Sequence, residues 1–174
     1  ATNGEVVLVL DRMNQILDFN AADRQVTCEA GVVTEQLQQF AESQGLFYPV
    51  DFASSGSSQL GGNVATNAGG IKVIRFGMTR SWVTGMKVVT GRGDLLDLNR
   101  GLTKNATGYD FRHLFIGSEG TLGIIVELTM ALSVPPQDPA VLIMGVEDMT
   151  KTMPVLEAFQ NKVSITAVSY THLR

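Results

Sequence analysis

Two glycine-rich stretches hold the residues whose types and spacing could do chemistry. The first, residues 54–70, reads Ser-Ser-Gly-Ser-Ser-Gln-Leu-Gly-Gly-Asn-Val-Ala-Thr-Asn-Ala-Gly-Gly. Glycine lets backbone N–H groups approach a ligand closely, and successive amides in such turns form a concave nest for anions. Where a short helix follows, its free N–H groups add to the effect. Phosphate is the ligand such a loop suits best, and Ser, Thr and Asn side chains can hydrogen-bond phosphate or a ring edge. Taken alone, the loop also reads as a plain turn. Its spacing matches neither G-x-G-x-x-G nor G-x-x-x-x-G-K-[ST], so neither nucleotide fingerprint applies.

The second stretch, residues 117–123, reads Gly-Ser-Glu-Gly-Thr-Leu-Gly and leads directly into an apolar strand. Glycines so dense before a buried strand point to close packing against a ligand or another chain segment. Glu119 reads as a catalytic carboxylate or, better, as a carboxylate that holds the loop's own amides or a ribose hydroxyl. Arg75 and Arg80 fit a substrate carboxylate or a cofactor phosphate, and equally an ordinary surface ion pair. Tyr109 and Asp110 read as fixing a turn and a helix start, and Lys104 as structural. His113 has no partner visible in the sequence and reads as structural or exposed. Cys28, in an alternating strand, reads as a small packed residue.

The elements around these loops follow from periodicity. Residues 6–10 form a continuous apolar run that predicts a strand buried on both faces. Short strands are expected at 16–19 and 25–30. Thr34 is the expected N-cap of an amphipathic helix over about 35–43, with Gly45 just past its end. Residues 82–90 and 95–98 predict a hairpin turned by residues 91–94. A short helix is expected within 109–115. From 124 to 132, Ile124, Val126, Leu128, Met130 and Leu132 alternate onto one face, with Glu127 and Thr129 on the other. Pro135, Pro136 and Pro139 then mark a candidate boundary. A strand at 140–146, a helix over about 148–160 and a strand from 163 are expected beyond it.

The chain has 174 residues and a net charge of −4, with its 13 Lys and Arg scattered, so charge makes no case for nucleic acid or an anionic membrane. No apolar run is long enough to span a bilayer, and no signal peptide is expected from the opening residues. One cysteine excludes an internal disulfide and a Cys-ligated metal site and favours a reducing compartment. His113 and His172 have no zinc-type spacing.

Residues 60–70, then Arg75-Phe76-Gly77, Thr103-Lys104-Asn105, Thr107-Gly108-Tyr109-Asp110 and the run 114–125 closely resemble, in order and spacing, the FAD-linked oxidase family of the vanillyl-alcohol oxidase superfamily. The branch resembled is that of D-2-hydroxyglutarate dehydrogenase, D-lactate dehydrogenase and the glycolate oxidase D-subunit, over roughly residues 6–160. The resemblance implies an α+β fold: a PCMH-type FAD-binding domain over 1–136 with its N-terminal part missing, then the beginning of a ferredoxin-like cap over 137–174. The tail 168–174 departs from the family pattern, so His172 is given no role. It also implies that an upstream Gly-Gly-Thr-Gly-type loop and a cap bearing a histidine base lie outside these residues, so the catalytic residues are unassigned.

By the same resemblance, Pro49, Asp51, Ser58 and Leu60 border the flavin. Gly61, Gly62, Asn63, Thr66, Asn67, Gly69 and Gly70 wrap the pyrophosphate and flavin, with Gly77 nearby. Glu119, Gly120, Gly123, Ile124 and Ile125 meet the adenine-nucleotide side. Some relatives attach flavin through a His in the first loop; residues 66–70 contain neither His nor Cys, so FAD is expected to be non-covalent, with no metal in this part. The implied activity is oxidation of a D-2-hydroxyacid to a 2-oxoacid by hydride transfer to flavin N5, in a cytoplasmic or organellar-matrix protein with an unassigned electron acceptor. A non-catalytic nucleotide-binding or regulatory module, and a purely structural α+β domain, are the other readings.

Overall fold

The computed structural model describes residues 3–171; His172 lies outside them. Five strands form one sheet: β1 (Ile16–Asn20), β2 (Gln25–Glu29), β3 (Val83–Thr90), β4 (Leu95–Leu98) and β5 (Gly123–Ala131). The spatial order is β1-β2-β5-β3-β4, and every pairing is antiparallel. The last strand in sequence is thus the middle one in space. Its placement between β2 and β3 delivers the glycine loop before it to the end of the sheet.

Five helices accompany the sheet: α1 (Thr34–Ser43), α2 (Leu60–Ala65), α3 (Val73–Phe76), α4 (Arg112–Phe115) and α5 (Thr152–Gln160). Side chains of alternate parity face opposite ways along a strand. Val26, Cys28, Met86, Val88, Leu128 and Met130 enter the core, where they join Leu37 and Ala41 of α1 and Leu60 and Val64 of α2. Fully burying each large aliphatic side chain contributes about 1.5–3 kcal/mol. The opposite sheet face is polar. There Thr27, Lys87, Asp97, Arg100, Glu127 and Thr129 line a shallow concavity of about 250 Å³, and Lys87 pairs with Glu127 at 2.8 Å. A single buried face is the usual solution for an antiparallel sheet.

The expected strands at 16–19, 25–30, 82–90 and 95–98 are present, as is the hairpin. Four expectations are corrected. Residues 6–10 are not a strand: Val6 is 93% exposed, and no neighbouring strand pairs with the run. Residues 140–146 and the described segment from 163 likewise form no strand. An apolar run becomes a strand only where a partner accepts its backbone bonds, and no described strand pairs with these runs. Thr34 is the first helical residue rather than the cap; Val33 occupies the N-cap, and the Thr34 hydroxyl turns inward instead.

The fourth correction concerns β5. Its buried residues are Ile125, Leu128 and Met130, while Ile124 is 40% exposed. The pairing with β3 runs Lys87↔Glu127 and then Val88↔Ile125, which leaves Val126 as an extra residue. A bulge of this kind reverses the facing of everything before it. Past the prolines, a 3-10 turn (Met149–Lys151) and α5 fill the predicted helix 148–160. The Asp148 carboxylate accepts from the Thr150 N–H at 2.9 Å, and α5 carries no buried residue.

Candidate functional site

The first glycine stretch is organised around α2, a helix the composition did not announce. Leu60 and Val64, four apart, form its buried edge. The Leu60 N–H donates to Val32 O at 2.9 Å and the Gly61 N–H to Ala30 O at 2.8 Å, stitching the helix start to the chain leaving β2. A Cβ on Gly61 would lie 2.8 Å from the Ala30 Cβ, so glycine is needed there for packing. Beneath, a buried polar knot fixes the turn before the helix. Asn63 Nδ2 donates to Thr34 Oγ1 at 2.6 Å, and Thr34 Oγ1 lies 2.9 Å from Ser58 Oγ.

The second glycine stretch caps the other end of the same helix. The Gly117 N–H donates to Val64 O at 3.1 Å and the Glu119 N–H to Ala65 O at 2.9 Å. Both carbonyls lie in the last turn of the helix, where intrahelical donors run out; Val64 O also accepts from the Asn67 N–H at 3.0 Å. Two loops separated by about fifty positions in the chain are thereby joined edge to edge. Asn67 (φ 48°) and Glu119 (φ 52°) both hold left-handed backbone, a conformation that costs a non-glycine residue about 1–3 kcal/mol and persists where surroundings enforce it. Similar values occur at ordinary turns elsewhere in the chain, so the enforcement by the two loops is what matters here.

The expected site residues fall into distinct places. Pro49, Leu60, Gly61, Asn63 and Ile125 are buried. Asp51 pairs with Lys72 at 2.9 Å, and its carbonyl accepts from the Ile71 N–H at 3.0 Å. A Cβ on Gly70 would fall on that carbonyl oxygen and within 2.8 Å of its carbon. Gly123 packs equally tightly, with a Cβ there 2.7 Å from Val88 Cγ1. Gly77 (φ +72°) ends α3, and Gly120 (φ +76°) turns the second loop. Both adopt conformations that favour glycine.

Gly62, Thr66, Gly69, Glu119 and Gly120 are exposed, and no atom lies within 4 Å of a Cβ built on Gly62 or Gly120. The backbone N–H groups of Gly62, Gly69, Gly70 and Gly120 have no acceptor among the described residues. The structure thus presents unpaired amide donors on exposed or partly exposed backbone: the adjacent pair Gly69 and Gly70, and Gly62 and Gly120, each of these last two flanked by bonded amides. This donor set fits a diphosphate, which backbone amides bind without a cationic side chain. Thr66 Oγ1 donates to Gly62 O at 2.9 Å and steadies the open turn.

Other candidates resolve differently. The Glu119 carboxylate takes no hydrogen bond from the described residues, so it does not hold its own loop's amides. Asp110 does start a helix: its carboxylate accepts from the Arg112 N–H at 3.2 Å and from Nη2 at 2.6 Å. The Arg112 side-chain hydrogen bond is the largest influence on the Asp110 carboxyl; burial opposes it, and the Arg112 charge, its backbone N–H and the His113 charge add to it, so the carboxyl is held below its usual range. Arg75 reaches Thr166 at 3.2 Å, and neither Arg75 nor Arg80 forms an ion pair among the described residues. Cys28 is fully buried, and burial, helped by Glu127 and Glu29, pushes its thiol up to about 12. Tyr48 is also fully buried, with its hydroxyl raised by burial and unpartnered among the described residues. Among those residues, no group of three or more His, Cys, Asp or Glu is placed to hold a metal, and no helix is long and apolar enough to cross a membrane.

Residues 1–99 match the family model described as an FAD binding domain. The chain belongs to the FAD-linked oxidase family. It is 65% identical over 170 residues to D-2-hydroxyglutarate dehydrogenase of Stutzerimonas stutzeri (strain A1501), an alignment covering 98% of this chain and 37% of that protein. It is 43% identical over 141 residues to the mitochondrial D-2-hydroxyglutarate dehydrogenase of Bos taurus, covering 81% of this chain and 26% of that one. The glycolate oxidase subunit GlcD of Bacillus subtilis (strain 168) is 40% identical over 142 residues, covering 82% and 30%. Among solved structures, an alkyldihydroxyacetonephosphate synthase superposes with a TM-score of 0.63 at 31% identity, over 72% of this chain and 22% of that one. The chain therefore spans little more than a third of the length of the relative it matches at 65% identity.

FAD is the family's cofactor, and the glycine loops leave amide donors unpaired on backbone that is otherwise held by hydrogen bonds. Sequence reasoning missed Thr34, whose side chain supports Asn63 from a helix that looks independent of the loop. It also left Arg80 undecided between roles. The only available signal for Thr34 was a polar residue on the apolar face of an amphipathic helix.

Proposed function

We propose that residues 58–70 and 117–125 form the FAD cradle of a full-length flavoprotein that oxidises a D-2-hydroxyacid, of the 2-hydroxyglutarate, lactate or glycolate type, to the 2-oxoacid. The observation that carries this reading is the joining of two glycine loops at the C-terminal end of α2, with the amides of Gly62, Gly69, Gly70 and Gly120 left unpaired. Relatives named as D-2-hydroxyglutarate dehydrogenases favour 2-hydroxyglutarate as substrate.

In this reading the backbone of Gly62, Gly69 and Gly70 binds the diphosphate, and the second loop meets the nucleotide side with Gly120. Asn63, Thr34 and Ser58 hold the first loop rigid, which lowers the ordering cost of binding. Bound FAD supplies the acceptor for the C2 hydride. The base that takes the hydroxyl proton is assigned to the rest of the full-length protein, as is the cap that residues 137–174 begin. Attachment is non-covalent: neither loop has a His or Cys, and the only cysteine is buried in the sheet.

The test is anaerobic mixing of the full-length protein with D-2-hydroxyglutarate, D-lactate and glycolate in turn while flavin absorbance is followed. Bleaching by one of these acids, and not by its L-enantiomer where one exists, is expected. A flavoprotein that none of them reduces would overturn the substrate assignment.

A further inference from the structure

Arg80 lies in the 3-10 turn Thr79–Trp82, outside both glycine loops, yet it touches each of them. Its backbone N–H donates to Asn67 Oδ1 at 3.0 Å, on the first loop. Its Nη2 donates to Ile116 O at 2.9 Å, at the start of the second. A Cβ on Gly117 would sit 3.5 Å from the Asn67 Cβ and 3.7 Å from Arg80 Nη2, so the guanidinium lies alongside that glycine. The other terminal nitrogen, Nη1, lies 2.7 Å from His113 Nδ1. The turn itself is anchored, since the Thr79 N–H and Oγ1 both donate to Ala68 O, at 3.1 and 2.7 Å. Arg80 has no carboxylate partner among the described residues. It is therefore not an ordinary ion pair.

We propose that Arg80 is a positioning residue that bolts the two glycine loops into one cradle and so sets the affinity for FAD without touching it. The inference rests on the cradle reading above. A planar guanidinium with donors in a fixed fork can hold a carbonyl and an imidazole nitrogen together, whereas a lysine ammonium is a flexible point charge. The geometry of the fork, rather than its charge, is the working property.

The experiment compares full-length wild type, Arg80→Lys and Arg80→Gln. Dissociation of FAD is measured by recovery of flavin fluorescence, and turnover is measured at saturating FAD. Both variants are expected to weaken FAD binding by similar factors, about ten- to hundredfold, each tenfold being about 1.4 kcal/mol. KM for the hydroxyacid and kcat at saturating FAD are expected to stay near wild type, because added cofactor reassembles the loops. Wild-type FAD affinity in Arg80→Lys would overturn the proposal, since charge alone would then suffice. So would unchanged affinity in both variants, or a loss of kcat that excess FAD does not restore. If the Arg80 variants do not fold, His113→Leu removes only the far end of the fork and must weaken FAD in the same direction; no change in that variant overturns the proposal. A wild-type protein that binds no FAD would instead sink the cradle reading itself.

Discussion

Gly62 and Gly70 are eight residues apart in one motif, yet an alanine should do opposite things at the two positions. At Gly70 the new methyl falls on the Asp51 carbonyl oxygen and within 2.9 Å of the Asp51 nitrogen. Both are backbone atoms, and the same carbonyl already accepts from Ile71. Overpacking of this kind costs about 1–3 kcal/mol. At about 2–4 °C per kcal/mol for a domain of this size, the apoprotein should melt about 2–12 °C lower. At Gly62 the methyl meets no protein atom within 4 Å, and the backbone is already helical. Replacing a helical glycine by alanine gains up to about 1 kcal/mol, so the apoprotein should melt at the same temperature or up to about 4 °C higher. The Gly62 methyl instead enters the space through which its free amide would meet the diphosphate. If the crowding at that contact costs the same 1–3 kcal/mol, FAD binds about 5- to 150-fold more weakly. Thermal melts of the apoproteins and fluorescence titrations with FAD separate the two effects. A Gly62→Ala protein with wild-type FAD affinity would refute the reasoning, because the open amide would then not face the cofactor.

Further consequences are independent of that pair. Cys28 should resist alkylation at pH 8 in the native state and react only on unfolding; rapid labelling of folded protein would contradict the burial of its thiol. The same shift predicts alkaline sensitivity. The folded state keeps the thiol protonated up to about 12 while the unfolded thiol ionises from its ordinary 9.0, so stability from this group is complete below pH 9.0 and declines through that window. Cys28→Ala should flatten that decline in denaturant titrations. Asp110 works in the other direction: its contribution is present above 3.8 and is lost as pH falls through its lowered value, so Asp110→Asn should reduce the acid-side slope in melts carried downwards from pH 3.8. Acid precipitation of the full-length flavoprotein should release all its FAD; flavin retained in the washed pellet would contradict non-covalent binding.

Much of this was legible in the sequence, for reasons that can be traced. Strands β1, β2, β3 and β4 follow from local alternation and turn residues, and each finds a partner within the described chain. The runs at 6–10 and 140–146 are continuously apolar, as a buried strand would be, yet form no ladder, because pairing is a property of neighbours that composition does not encode. The phase of β5 was misread because the bulge at Val126 depends on the register with β3. In the site, the glycine loops were visible as clusters, but their glycines do different jobs: Gly61, Gly70 and Gly123 permit packing, Gly77 and Gly120 permit a turn, and Gly62 leaves an amide open. One letter cannot distinguish these. Thr34 and Arg80 were obscure because each acts on the loops from another element.

In the proposed cradle, the open amides of the two joined loops hold the cofactor's diphosphate. The most direct test is a structure of the full-length protein with FAD bound. Diphosphate oxygens are expected within hydrogen-bond distance of the Gly62 and Gly69 or Gly70 N–H groups, with Gly120 on the nucleotide side and Arg80 still bonded to Ile116 rather than to phosphate. A diphosphate held elsewhere, with these amides facing solvent, would contradict it.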